Sequence, residues 1–137
     1  MASIEINYLA ILVSAVASMV LGGAWYSKLL FGKMWMRLVN RTQDEIKSSG
    51  GATKAYIIGF LVLLVVAYIL AHFVSITATA TAGDAIMLAF WIWLGFIGTI
   101  TLNDVLYTKK PFKLWCLNNG YNFVSLAIMA VILALWQ

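Results

Sequence analysis

The sequence predicts an all-α fold: an integral membrane four-helix bundle forming a single transmembrane domain over residues 1–137. Three observations predict it. Four apolar runs each approach the roughly 20 residues that cross about 30 Å of hydrocarbon at 1.5 Å per residue. The composition is 64% hydrophobic and only 10% charged, with a mean hydropathy of +0.95, whereas soluble domains carry about 25% charged residues. All nine Lys and Arg residues fall in connections between the runs. So little polar surface cannot coat a water-soluble globule, so the bilayer is the solvent. The net charge of +4 then reflects topology and lipid headgroups, and no nucleic-acid partner is expected.

The first run covers residues 6–27. The residues before it contain Glu5 and no Lys or Arg, whereas a secretory signal needs a positive leading segment, so the run is expected to be a retained helix. The connection 28–54 follows. Its opening mixes Leu30, Phe31, Met34, Trp35 and Leu38 with Lys33 and Arg37, a pattern for a short helix lying in the interface. Thr42-Gln43-Asp44-Glu45 reads as a capping box that starts a second short helix, and Ser48 to Gly51 reads as its end. The second run covers 55–76 and the third 85–107, joined by a small polar turn. The fourth covers 114–136. None of the runs alternates as a membrane strand would, and in lipid a helix alone satisfies its backbone within one segment.

Orientation follows from the cations. Lys28, Lys33, Arg37, Arg41, Lys47 and Lys54 lie between the first and second helices, and Lys109, Lys110 and Lys113 between the third and fourth. The positive-inside rule places both connections in the cytoplasm and both termini on the non-cytoplasmic side. Trp25, Tyr26, Trp35, Tyr107 and Trp115 cluster beside the basic ends as interface anchors, with Lys28, Lys33, Lys109 and Lys110. Tyr8 and Trp136 serve the opposite interface.

The two basic hairpins resemble each other. Tyr26-Ser27-Lys28 with Phe31, Lys33 and Trp35 parallels Tyr107-Thr108-Lys109 with Phe112, Lys113 and Trp115, with one deletion at Gly32. At one constant offset, Ser14, Ser18, Gly22 and Tyr26 align with Gly95, Thr99, Asn103 and Tyr107. Four-residue spacing keeps each set on one helical face. Small residues there (Ala10, Ser14, Ser18 and Gly22; Gly95 and Thr99) let helices approach closely in lipid. Internal duplication would relate the hairpins by a pseudo-twofold axis along the membrane normal, with an insertion of roughly 20 residues after Trp35. Chance similarity of apolar helices with basic ends is the alternative.

Chemistry-bearing residues within the runs are few. Asn103, Asp104, Asn118, Asn119 and Asn122, with Tyr26 and Tyr107, form the candidate polar cluster, all toward the basic ends. An ionisable residue inside a span is a functional-site hypothesis by default. The structural alternative for Asp104 is an ion pair with Lys28, Lys109 or Lys110. A carboxylate near a helix C-terminus meets the negative end of the dipole, unfavourable by up to about 1 kcal/mol. His72 reads as an interfacial or packed residue, Cys116 as a packed small hydrophobe without a disulfide partner, and Met34 and Met36 as interfacial. Trp91 and Trp93 lie on different faces, so at least one is expected against lipid or another subunit. No catalytic residues, cofactor or metal site is expected: phosphate loops, His/Cys ligand spacing and Gly-x-Ser-x-Gly are all missing from the sequence.

The opening, with Asn7, Gly22, Trp25, Tyr26, Ser27, Phe31, Gly32, Lys33 and Trp35, resembles a bacterial membrane-protein family, domain-of-unknown-function family 1761. Gly95, Phe96, Leu106, Tyr107, Pro111, Leu114, Trp115, Gly120 and Tyr121 match that family's second half. Asn122 departs from the pattern, which leads one to expect histidine there; an acid–base role at this position is weakened. The resemblance covers nearly the whole chain. It implies four helices in a bacterial cytoplasmic (inner) membrane and no activity.

Small-residue stripes without catalytic groups favour a structural or accessory membrane protein that is not an enzyme. Its expected partners are the lipid bilayer and further copies in a homo-oligomer. The alternative is a small homo-oligomeric transporter or channel for a small solute, whose path would use a subunit interface or the Asp104 cluster. A membrane-embedded enzyme built on Asp104 and the asparagines ranks third. No small-molecule ligand is identifiable from the sequence.

Overall fold

A computed structural model describes residues 5–39 and 51–137. The expected capping box at Thr42–Glu45 lies outside the described residues, as do Arg41 and Lys47. Among the described residues five helices make up the fold: α1 (Tyr8–Trp25), α2 (Gly32–Val39), α3 (Gly51–Ile76), α4 (Ala82–Tyr107) and α5 (Phe112–Leu135). The four long ones, α1, α3, α4 and α5, are long and apolar enough to cross a membrane.

Local chemistry sets the helix ends. Asn7 begins α1, its side-chain oxygen accepting from the Ala10 amide at 3.1 Å. Thr81 does the same for α4 through Asp84 N–H at 3.2 Å, and the Asp84 carboxylate in that first turn faces the positive end of the dipole. Pro111, with its fixed φ and no N–H to satisfy, precedes α5. At the other end of α3 the Thr79 amide donates back to Val74 O at 3.0 Å across Ala78, which sits in the left-handed region at φ 54. This is a Schellman closure built without glycine. Gly51, read as a stop, is instead the first residue of α3. The Ala52 and Ala55 that follow favour helix, so the helix starts a turn before its apolar run.

Helix α5 is the hub. It packs against α1, α3 and α4, and α1 also packs against α3. The dry core lies at the end that carries both termini. There Ala10 and Ile11 of α1 meet Leu70, Ala71 and Val74 of α3, Ala85 and Ala89 of α4, and Met129, Ala130 and Leu133 of α5. Alanine dominates because lipid offers no hydrophobic drive between helices, and close van der Waals approach must replace it. The amphipathic α2 leaves α1 by a tight turn and packs back on α5.

The two hairpins, α1 with α3 and α4 with α5, each pack internally, but a twofold relation would need two cross contacts. One is made, α1 on α5; α3 and α4 share no substantial contact among the described residues. Among the described residues α4 is therefore held chiefly by α5, and much of its surface points outward.

Candidate functional site

The basic end of the bundle is built around an irregular turn of α4. Residues Leu94–Gly98 form a π segment, one wide turn inside the helix. The carbonyls it disturbs are collected by side chains. Thr99 Oγ1 donates to Leu94 O at 2.9 Å and Thr101 Oγ1 to Ile97 O at 2.6 Å. Trp115 Nε1, from α5, reaches Gly98 O and Thr101 Oγ1, each at 3.2 Å. Trp93 lies over Gly98, where a Cβ would sit 2.9 Å from its ring. In hydrocarbon such carbonyls need protein donors, and these supply them.

Asn119 locks this turn to α5. It is 4% exposed. Its Oδ1 accepts from Trp93 Nε1 at 3.1 Å, and its Nδ2 donates to Trp115 O at 3.1 Å. Thr101 has one proton; the short bond to Ile97 O takes it, so its 3.3 Å approach to Asn119 Oδ1 adds little. The Asn119 amide is thus committed to structure.

The α1–α5 seam uses the first small-residue stripe. Ser18 Oγ and Ser125 Oγ lie 2.7 Å apart, and Tyr121 OH donates to Ser18 O at 3.0 Å across Gly22. Trp25 Nε1 donates to Leu117 O at 3.0 Å, and Tyr26 OH to Asn118 Oδ1 at 2.8 Å. Ala10 and Ser14 are fully buried on the same stripe, and among the described residues the Ser14 hydroxyl has no hydrogen-bond partner.

Above Asn119 a cleft of about 190 Å³ opens at the end of α4 and the start of α5. Asn119, Trp115 and Thr101 line it, together with Asp104, Lys110, Asn118 and Asn122. Lys110 Nζ lies 3.7 Å from Asp104 Oδ2, each side chain 55% exposed. Asn118 Oδ1 is taken by Tyr26, but its NH2 group, like the whole Asn122 amide, makes no hydrogen bond among the described residues. A larger recess of about 430 Å³ lies at the opposite end, between the starts or ends of α1, α3 and α5. Asn7 Nδ2 donates to Trp136 O at 3.1 Å beside it, and among the described residues Glu5 is its one ionisable side chain.

The structure brings together Asp104, Asn118, Asn119, Asn122 and, through its bond to Asn118, Tyr26. It does not bring in Asn103, which is exposed on α4, or Tyr107, which is 81% exposed. The π turn and the single neighbour of α4 leave these two outside. Among the described residues the same geometry packs no other helix of this chain on Gly95 or Thr99. Both are exposed, a Cβ on Gly95 would meet nothing within 4 Å, and the Thr99 hydroxyl bonds its own helix. Cys116, expected to be packed, is also exposed, one residue off the buried side of α5 at Leu114 and Leu117. Of the anchors, Trp35 stacks edge-on against Tyr26 at 6.1 Å, whereas Lys28, Lys33 and Lys109 are exposed.

Trp93, Thr101, Tyr121 and Ser125 were not singled out from the sequence as site residues. A signal for two of them was present: Asn118, Tyr121, Asn122 and Ser125 recur at three- and four-residue spacing on one face of α5. Among the described residues no group of three or more His, Cys, Asp or Glu side chains could hold a metal ion.

A family model described as a protein of unknown function (DUF1761) matches residues 9–134, and the chain belongs to that family. No curated protein and no solved structure matches the chain.

Proposed function

We propose that this DUF1761 member is an accessory protein of the bacterial inner membrane that works by self-association, pairing with a second copy through the outward face of α4. The carrying observation is the stripe Gly95, Thr99 and Asn103, exposed on α4, which among the described residues packs substantially on α5 and on no other long helix. Faces that only meet acyl chains look different. On α3 the exposed positions from Ile57 to Ile69 are Ile57, Ile58, Leu61, Val62, Val65, Tyr68 and Ile69, with no glycine, amide or aliphatic hydroxyl among them. On α4 a glycine, a hydroxyl and an amide interrupt the apolar surface, the pattern of helix–helix contact in lipid. Asn103 makes no side-chain hydrogen bond among the described residues. A carboxamide both donates and accepts, so Asn103 can bond its own copy across a twofold axis. Helix α4 carries no charged residue of either sign from Ala85 to Asn103, so along that stretch two copies meet without like-charge repulsion.

The test is disulfide trapping in lipid. In a Cys116→Ser background, Thr99→Cys should crosslink to dimer on oxidation, and Val65→Cys on the lipid face of α3 should not. Gly95→Leu should lower the Thr99→Cys yield several-fold. Equal crosslinking at both positions, or none at Thr99→Cys, rejects the reading.

A small-solute transporter is the second reading, favoured by the polar cleft at the basic end. Against a path inside one chain, Met129, Leu133 and the alanines fill the bundle at the other end. No catalytic role is assigned to the cleft, because Asn119 is spent on the fold and Asp104 is paired with Lys110.

A further inference from the structure

We infer that the cleft between the end of α4 and the start of α5 binds a zwitterion that joins a primary ammonium to a phosphate ester, the chemistry of an ethanolamine phospholipid headgroup. Its charged groups are one of each sign: Asp104 and Lys110, 3.7 Å apart and each more than half exposed. A bare anion entering there approaches Lys110 but is repelled by Asp104, and a bare cation meets the reverse. A ligand carrying both charges satisfies both, its ammonium on the carboxylate and its phosphate on the lysine.

The backbone is polarised in the same sense. The last turn of α4, with Asp104, and the first turn of α5, beside Lys110, both border the cleft. The negative end of one helix dipole therefore lies next to the positive end of another. Among the described residues the Phe112 and Lys113 amides, at the start of α5 next to the lining Leu114 and Trp115, make no backbone hydrogen bond, and N–H groups at a helix start suit phosphate oxygens. A carboxylate at a helix C-terminus is unfavourably placed on its own, and an ammonium ligand would relieve that.

The remaining groups supply hydrogen bonds. The Asn118 NH2 group and the Asn122 amide border the cleft without protein partners among the described residues. Asn119 and Trp115 close the floor with hydrogen bonds already made. At about 190 Å³ the space is smaller than the ~300 Å³ at which drug-sized pockets begin, so it admits a headgroup and not a larger metabolite. Exposed Leu106 and Phe112 flank the mouth in sequence, offering apolar surface to attached acyl chains.

The full chain is reconstituted in phosphatidylcholine nanodiscs holding equal small fractions of phosphatidylethanolamine and phosphatidylglycerol. Lipids that remain bound after detergent extraction are counted by native mass spectrometry. Phosphatidylethanolamine should be retained about tenfold over phosphatidylcholine, whose methylated ammonium has no N–H for Asp104, the worth of roughly one charge-assisted hydrogen bond. Asp104→Asn and Lys110→Gln should each abolish the preference. Asn122→Leu, which fills the cleft without touching the pair, should do the same. Circular dichroism checks that each variant keeps its helices.

Soluble O-phosphoethanolamine distinguishes the two sources of this chemistry. Binding of it without retained lipid assigns the cleft to a free solute of the same class; retained lipid assigns it to the membrane. Preference for phosphatidylglycerol, no preference among the lipids with no O-phosphoethanolamine binding, or a preference untouched by Asp104→Asn overturns the inference. None of these readouts depends on α4 pairing, so the outcome is separable from that of the crosslinking test.

Discussion

Asn119 and Asn118 are adjacent, and the structure separates them by what they leave behind when removed. Asn119 is buried and accepts the Trp93 indole proton while bonding Trp115 O. Asn118 is half-buried and meets a Tyr26 hydroxyl close to the basic interface. Replacing Asn119 by leucine keeps the γ-branched outline with some added bulk but leaves the Trp93 indole N–H without its acceptor. Asn119→Leu should destabilise the fold by about 1–2 kcal/mol, read by denaturant titration in mixed micelles. Asn118→Leu should cost under about 0.5 kcal/mol, because a hydroxyl near the interface finds water. Equal losses would place Asn119 outside the structural role given to it here. Both asparagines stand in the sequence as polar interruptions of an apolar run. Which one is a strut could not be read there, since the answer depends on Trp93, distant in sequence and brought near by the π turn.

Helix ends follow rules that are local and largely legible. Asn7, Thr81 and Pro111 begin helices as residues of their type should. Gly32 also has a local reason: a Cβ there would press on the carbonyl oxygens of Tyr26 and Ser27, so the turn from α1 into α2 accepts only glycine. Ala78 is an exception, an alanine in the left-handed region that closes α3, and Lys109 just after α4 is another non-glycine residue in that region. Left-handed φ costs an L-residue about 1–2 kcal/mol, and the extra unfolded-state freedom of glycine offsets about 0.5–1 of that. Ala78→Gly should therefore raise stability by about 0.5–1 kcal/mol, measurable as a shift in the same denaturant midpoint. A decrease would mean that the strain is absent. The π segment was not legible. Its sequence, Leu94 to Gly98, resembles any apolar helix, and the wide turn persists because Thr99, Thr101 and Trp115 gather its carbonyls.

At the scale of the whole chain, the cations and the packing answer different questions. Both basic connections lie at one end of the bundle and both termini at the other, because an even number of spans separates them. With that end in the cytoplasm, tags fused to either terminus should be digested by external protease in intact spheroplasts. Protection of both tags would invert the orientation. Among the described residues the packing gives α4 one substantial neighbour among the long helices and divides the two stripes that look alike in sequence. Ser14 and Ser18 are buried against α5, whereas Gly95, Thr99 and Asn103 are exposed. The likeness between the hairpins therefore does not extend to their environments.

The sequence by itself determined the four spans, the grouping of charge at one end, the amphipathic α2 and the family. Each rests on composition or on spacing within one segment, and the bilayer enforces both by refusing unpaired backbone and exposed charge. Only the tertiary structure decided which asparagine is a strut, which stripe is internal, and that Asp104 and Lys110 share the mouth of one cleft. Those outcomes depend on the rotation of each helix about its axis and on a wide turn in α4. Both are set by contacts between segments, and lipid on the far side of a helix accepts nearly any apolar face.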